Sequence, residues 1–337
     1  MSVVYYIPTD TCELLVATMS DRGKAKAVHR SEKVSLSAGR TGTEVCNTRT
    51  MLEITPSGQA CGATVRNVDL RRLDDELVAA IRHAWLDHKV LAFPDQDLSD
   101  DDLEAFTLRF GPFGDDPFFA SIDGHPNIAA ICRRADETST LFAENWHADW
   151  SFQEFPPDGT CLYGKVIPPS GGDTLYADQQ AALAAMPHEL RERIEGRSAI
   201  HSAGNSYAPD GLYGDGDEGR SMQIRPSESA YETRLHPVIR PHRETGADTL
   251  YSTIGYIIGI DGMDADEERD LLVELYHWQT REEFQYRHRW EEGMLTMWDN
   301  RCVLHRATGG YDGHDRILHR TTIGYNHDVG SVDSRST

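Results

Sequence analysis

The sequence predicts a mainly β protein with helices flanking its sheets (α+β), closed as a barrel or jelly roll. Three observations carry this. Short strand-like runs recur along the chain, separated by turns rich in Gly, Pro and Asp. Helical periodicity is confined to a few segments. The chain ends in four strand-like runs, "FQYRHRW", "MLTMWD", "CVLHRA" and "RILHRTTIGYN".

Taken in order, residues 1–48 show no sustained period. The stretch "SDRGKAKAVHRSEKVSLSAGRTGTEV" is polar and reads as a mobile N-terminal extension. A start at Met19 or Met51 fits the sequence equally well. A single domain is expected over 49–330, with a tail over 331–337. "MLEITP" is strand-like. "DDELVAAIRHAWLDH" places Leu77, Val78, Ile81, Ala84, Trp85 and Leu86 near helical spacing. "KVLAFP" is a short buried strand stopped by Pro94. "LSDDDLEAFTLRFG" opens with Ser99 and Asp102 at capping-box spacing and ends at Gly111. A loop, "GPFGDDPFFASIDGHPN", leads to the strand "IAAIC". After "ENWHADWSFQ" comes the strand "TCLYGKVIPP". "DQQAALAAMPHELRERIEG" reads as two short helices, the second starting at Pro187. Residues 204–230 are turn-rich, a long loop that reads equally as an active-site lid or as a disordered insertion. Strands follow at "HPVIR" and "TLYSTIGYIIGI", then an amphipathic helix, "DADEERDLLVELYHWQT".

Composition narrows the function. The 337 residues carry 55 acidic and 33 basic side chains, a formal charge of −22 that repels phosphate backbones and argues against nucleic acid. No apolar run approaches the roughly 20 residues that span a bilayer. The first twenty residues lack the basic segment of a signal peptide. The six cysteines are widely and irregularly spaced, which fits a reduced cytoplasmic protein without disulfides or a zinc ribbon.

The chemistry-bearing stretch is "ENWHADWSFQ". On a strand, residues i and i+2 face one side, so His147 and Asp149 would offer an imidazole and a carboxylate to one point. That is two-thirds of a 2-His-1-carboxylate facial triad, which leaves three positions of an octahedral ion open. By itself the His-x-Asp triplet is weak. The best third ligand among fifteen histidines is His305 in "WDNRCVLHRATGG", where a barrel would bring the C-terminal strands back beside the first motif. In "RILHRTTIGY", Arg316, Leu318 and Arg320 share a face. The two arginines lie roughly 13 Å apart, a spacing that suits two separate carboxylate-sized anions. His319 has the opposite parity.

"WHADWSFQ", "PPSGGDTLYAD", "WDNRCVLHRA" and "DRILHRTTI" resemble, in order and spacing, the TauD/TfdA family of taurine and 2,4-dichlorophenoxyacetate dioxygenases. The resemblance covers about residues 51–327. It implies a double-stranded β-helix of the jelly-roll, cupin-like kind, and Fe(II), 2-oxoglutarate and O2 as cofactor and co-substrates. Residue by residue, it implies His147, Asp149 and His305 as iron ligands. Thr174 and Arg316 match the residues that hold 2-oxoglutarate, and Arg320 matches the arginine that holds the anionic group of the primary substrate. Gly171 and Gly172 would make the turn that aims Thr174, and Asp299 and Asn300 would brace the turn before His305. Trp146 and Trp298 read as core or wall, and Trp150 as core or substrate pocket.

The activity implied is oxidative: hydroxylation or cleavage of a small molecule, with release of succinate and CO2. In related halogenases a small residue replaces the carboxylate ligand, so Asp149 favours oxygen transfer over halogenation. The taurine enzyme carries a sulfonate-binding histidine shortly after an "FG" pair. Here "FGPFGDDPFF" supplies Asp115 and Asp116 instead, which puts taurine in doubt. The expected substrate is anionic or zwitterionic and amino-acid-like, its anion on Arg320 and its amine on Asp116, the alternative being that Asp115 and Asp116 are solvated loop charges. The oligomeric state stays open, a dimer or tetramer being allowed. Alternatives are a non-catalytic metal-binding barrel acting as sensor or scaffold, a sulfonate-type dioxygenase, and a zinc hydrolase that would leave Arg316 idle.

Overall fold

The computed structural model describes residues 3–4 and 52–327. The predicted extension over 1–48, apart from Val3 and Val4, and the predicted tail over 331–337 lie outside the described residues. The first strands are β1 (Val3–Val4), β2 (Glu53–Pro56), β3 (Ala63–Arg66), β4 (Val90–Phe93), β5 (Ser121–Ile122) and β6 (His125–Arg133). Next come β7 (Gly159–Val166), β8 (Thr174–Asp178), β9 (Ser198–Ser202), β10 (Thr233–Pro237), β11 (Ile239–Pro241) and β12 (Asp248–Leu250). The last are β13 (Ile257–Ile260), β14 (Gln285–His288), β15 (Leu295–Asp299), β16 (Val303–Ala307) and β17 (Arg316–Ile323). Helices are α1 (Asp75–His88), α2 (Asp100–Leu108), α3 (Gln179–Ala184), α4 (His188–Ile194), α5 (Gly204–Tyr207) and α6 (Ala265–Gln279). The architecture is mainly β with flanking helices, as the sequence predicts.

Two sheets position the site. The larger runs β1-β2-β3-β4-β15-β7-β17-β6-β5, and the smaller runs β14-β8-β16. Tyr176, Tyr286 and Val303 of the smaller sheet pack against Val90, Leu162, Trp298 and Leu318 of the larger one in one buried cluster. The functional strands β7, β8, β16 and β17 face one another across it. On the far side of the larger sheet, α1 and α2 contribute Ile81, Trp85, Leu103 and Phe106 to a second core. Asp74 caps α1 by accepting from the Leu77 N–H at 2.8 Å, and Ser99 and Asp102 form the predicted capping box of α2. Pro187 stands at the N-cap of α4.

Three expectations change. "TLYSTIGYIIGI" is two strands, β12 and β13, separated by a turn. Residues 204–230 are not wholly irregular: they hold α5, the start of a 3-10 turn (Glu228–Tyr231), and a bridge from Ile224 to Phe119. The third concerns the opening motif. His147 makes only an isolated bridge to His305, and the chain then turns through Trp150, whose φ is 48°. His147 and Asp149 therefore do not share a continuous strand, and what brings them together is the bridge and the turn.

Candidate active site

The bridge sets the first two ligands. The His147 N–H donates to the His305 carbonyl at 3.0 Å, and the His305 N–H to the His147 carbonyl at 2.8 Å. This exchange places the imidazoles side by side, with centroids 4.2 Å apart. Each Nε2 lies 3.8 Å from Asp149 Oδ1. The three ligand atoms lie within 4.8 Å of one another. A facial set with bonds of about 2.1 Å has donor atoms about 3 Å apart, so a small contraction closes the set on an ion.

Protonation states suit a metal. His147 Nδ1 donates to the Asn145 carbonyl at 2.8 Å, which fixes the tautomer and leaves the Nε2 lone pair free. Burial depresses the His147 pKa and pushes His305 down to about 3, so His305 is a neutral imidazole. Burial opposes ionisation of Asp149, but the Arg320 guanidinium, helped by the Thr160 hydroxyl, outweighs it and holds the carboxyl well below its usual range. Two other His/acid groups occur among the described residues. In one of them, Asp299 is gripped by both arms of Arg301 and by His242, and the Cys302 thiol beside it is pushed far up by burial. The other, Asp101, Glu104 and His125, is exposed to partly exposed and has no such enclosure.

The two arginines occupy the predicted face of β17, both buried, while His319 points away to Asp100 at 2.7 Å. Their surroundings differ. Arg316 donates through Nη2 to the Gly172 carbonyl at 3.1 Å and has no carboxylate partner among the described residues; its Nε is buried and unpaired. Burial lowers its pKa. Gly172 sits at φ 68°, and a Cβ there would lie 3.0 Å from Arg316 Nε, so glycine admits the guanidinium. Thr174, just beyond that turn, accepts from Trp290 Nε1 at 3.0 Å, which leaves its hydroxyl proton for an anion. Arg320, by contrast, donates through Nη1 to Asp116 Oδ1 at 2.5 Å, and its Nη2 lies 3.3 Å from Asp149 Oδ1 as a charge contact. Asp116 Oδ1 also accepts from the Trp150 indole. Burial raises the Asp116 pKa against the pull of Arg320.

One cavity, partly open to solvent, joins these groups. His147, Asp149, His305, Thr174, Arg316, Arg320 and Trp150 all line it, and Phe119, Tyr207 and Tyr256 add an aromatic wall. Asp116 sits at Arg320 and Trp150. Phe119 and Tyr207 were missed from sequence because they come from turn-rich segments without a period, and Tyr256 because its segment reads as one strand and instead breaks into a turn between β12 and β13. Arg220, on the predicted lid, also lines the cavity.

The family model described as taurine catabolism dioxygenase TauD, TfdA family matches residues 53–322. This chain belongs to the TauD/TfdA family. It is 36% identical over 279 residues to an alpha-ketoglutarate-dependent 2,4-dichlorophenoxyacetate dioxygenase of Cupriavidus pinatubonensis, covering 77% of this chain and 93% of that one. It is 34% identical over 268 residues to an (S)-phenoxypropionate/alpha-ketoglutarate-dioxygenase of Delftia acidovorans, covering 77% and 90%. A crystal structure of a taurine dioxygenase from Burkholderia xenovorans superposes with a TM-score of 0.68 at 31% identity, over 82% of this chain and 90% of that one. As a member of the TauD/TfdA family, the chain is an oxidoreductase that uses Fe(II), 2-oxoglutarate and O2. No helix among the described residues is long and apolar enough to cross a membrane.

Proposed function

We propose that residues 49–330 act as one dioxygenase domain on a double-stranded β-helix, and that its substrate is a small zwitterionic molecule with an apolar body. In this reading His147, Asp149 and His305 hold the iron. Thr174 and Arg316 hold the distal carboxylate of 2-oxoglutarate. Arg320, Asp116 and Trp150 receive the substrate. The observation that carries it is the contrast between the arginines. A buried guanidinium without a counter-ion is costly, and a resident carboxylate relieves the cost. Arg316 is such a group, whereas Arg320 already faces Asp116 and Asp149. When bound, the iron with 2-oxoglutarate and O2 supplies the oxidising power. The chain's own residues hold the substrate's oxidisable position toward it and exclude water.

Charge selects the substrate. Asp116 and Asp149 balance Arg316 and Arg320, and a divalent ion balances doubly charged 2-oxoglutarate. A monoanion would leave the closed site negative, and a zwitterion leaves it neutral. Asp116 therefore acts by setting the charge that Arg320 presents, in place of direct capture of an amine. Phe119, Trp150, Tyr207 and Tyr256 suit a flat or apolar body.

The test is succinate formation under air with Fe(II), on zwitterions and on matched monoanions such as aryloxy acids and sulfate esters. N-oxalylglycine should inhibit, which a zinc hydrolase would not show. Asp116→Asn should shift relative kcat/KM toward monoanions by about tenfold or more. An unchanged preference would sink the charge argument. Succinate with no member of the panel would favour a sensor or scaffold.

A further inference from the structure

Asp149 is held at both ends by one closed circuit of hydrogen bonds. Its backbone N–H donates to Asn300 Oδ1 at 3.3 Å, and Trp298 Nε1 donates to the same oxygen at 2.9 Å. Two donors on that oxygen force the orientation of the Asn300 amide. Asn300 Nδ2 then donates to Thr160 Oγ1 at 2.9 Å. Because it accepts there, the Thr160 hydroxyl spends its single proton on Asp149 Oδ2, at 2.5 Å. Thr160 and Asn300 are both buried, so no water competes for these groups.

The circuit makes the two carboxylate oxygens different. Oδ2 is tied back to β7, while Oδ1 faces both histidine Nε2 atoms. We infer that Thr160 and Asn300 are positioning residues that present Asp149 to the metal through Oδ1 alone. This rests on the reading of His147, Asp149 and His305 as the metal ligands. A carboxylate free to rotate can chelate with both oxygens and occupy a further coordination position. Held by Thr160, it occupies one, and three positions of an octahedral ion stay open for the co-substrates. Neither residue touches the cavity's substrate end; both act through Asp149.

Mn(II) binding, followed by the EPR signal of the free ion without turnover, tests this. Thr160→Val keeps the shape and removes the hydroxyl. It should weaken Mn(II) binding about 10- to 100-fold, while Thr160→Ser should stay within about threefold of the wild type. At saturating Mn(II), the valine variant should also bind 2-oxoglutarate more weakly, because Oδ2 competes for its position. Near-UV circular dichroism verifies folding, and Thr160→Ala carries the same test if the valine variant does not fold. A folded valine variant with wild-type Mn(II) affinity would overturn the inference. So would a serine variant as weak as the valine one, or unchanged 2-oxoglutarate affinity at saturating Mn(II). If the wild type itself binds no Mn(II), the metal-centre reading fails, and the inference fails with it.

Discussion

At the scale of residues, Arg316 and Arg320 show how little a residue type says without its neighbours. Both project from one face of β17 and both are buried. Among the described residues, Arg320 has carboxylate partners and Arg316 has none. An uncompensated buried charge lowers stability, and truncating one partner of a buried charge pair costs about 2–5 kcal/mol of binding. Arg316→Met should therefore act in opposite directions on two measurements. The ligand-free protein should melt at the same temperature as the wild type or above it. Affinity for 2-oxoglutarate should fall by more than tenfold, and the rise in melting temperature that 2-oxoglutarate gives the wild type should vanish. A variant destabilised without ligand would mean that Arg316 has a protein partner after all. Trp150 makes a related point. A non-glycine residue at φ 48° costs of order 1–3 kcal/mol. The turn is held by the indole bond to Asp116 and by packing on Phe119, with ring centroids 4.7 Å apart.

At the scale of elements, most of the site was legible where spacing survives folding. The pair on β17 follows from strand parity; His305 stands out among fifteen histidines by its place near the C-terminus, and Thr174 with its glycine turn comes from the family resemblance. The helices α1, α2 and α6 were legible from period and caps. His147 and Asp149 were legible as types and not as geometry, because the segment is a bridge followed by a left-handed turn. Thr160 was invisible for a different reason. β7 is buried on both faces from Gly159 to Gly164, so alternation marks no side of it. The predicted lid was half legible: its length was a signal, its clasp was not. Glu137 Oε2 accepts from the Ser221 N–H at 2.9 Å, and Oε1 pairs with Arg133 at 3.2 Å. Arg220 stacks 4.9 Å from the Tyr213 ring and bonds Asp217 and the Thr140 carbonyl. Glu137→Ala should loosen residues 213–223 over the cavity. Hydrogen exchange there should speed up while β7 and β17 stay protected, and the substrate KM should rise. Unchanged exchange would show that Glu137 does not clasp the segment.

At the scale of the whole molecule, buried neutral histidines set the response to acid. Burial pushes His201, His288 and His305 down to about 3 in the folded chain. The unfolded chain titrates them near 6.5. Between about pH 3 and 6.5 the unfolded state therefore binds more protons, and stability rises with pH across that window. The stability that these rings contribute is complete above about pH 6.5 and is lost progressively as pH falls toward 3. Carboxylates such as Asp149, whose pKa is depressed on folding, add their own loss only as the pH drops toward and below about 4. The metal-free protein should accordingly lose melting temperature already between pH 7 and pH 5, before its carboxylates titrate. His201 isolates one share, because it lies outside the metal set and bonds only Ser151 Oγ, at 3.0 Å. His201→Gln cannot titrate, so its melting temperature should fall less steeply over that interval, whatever its value at pH 7. An identical slope in the two proteins would assign the acid response to other groups.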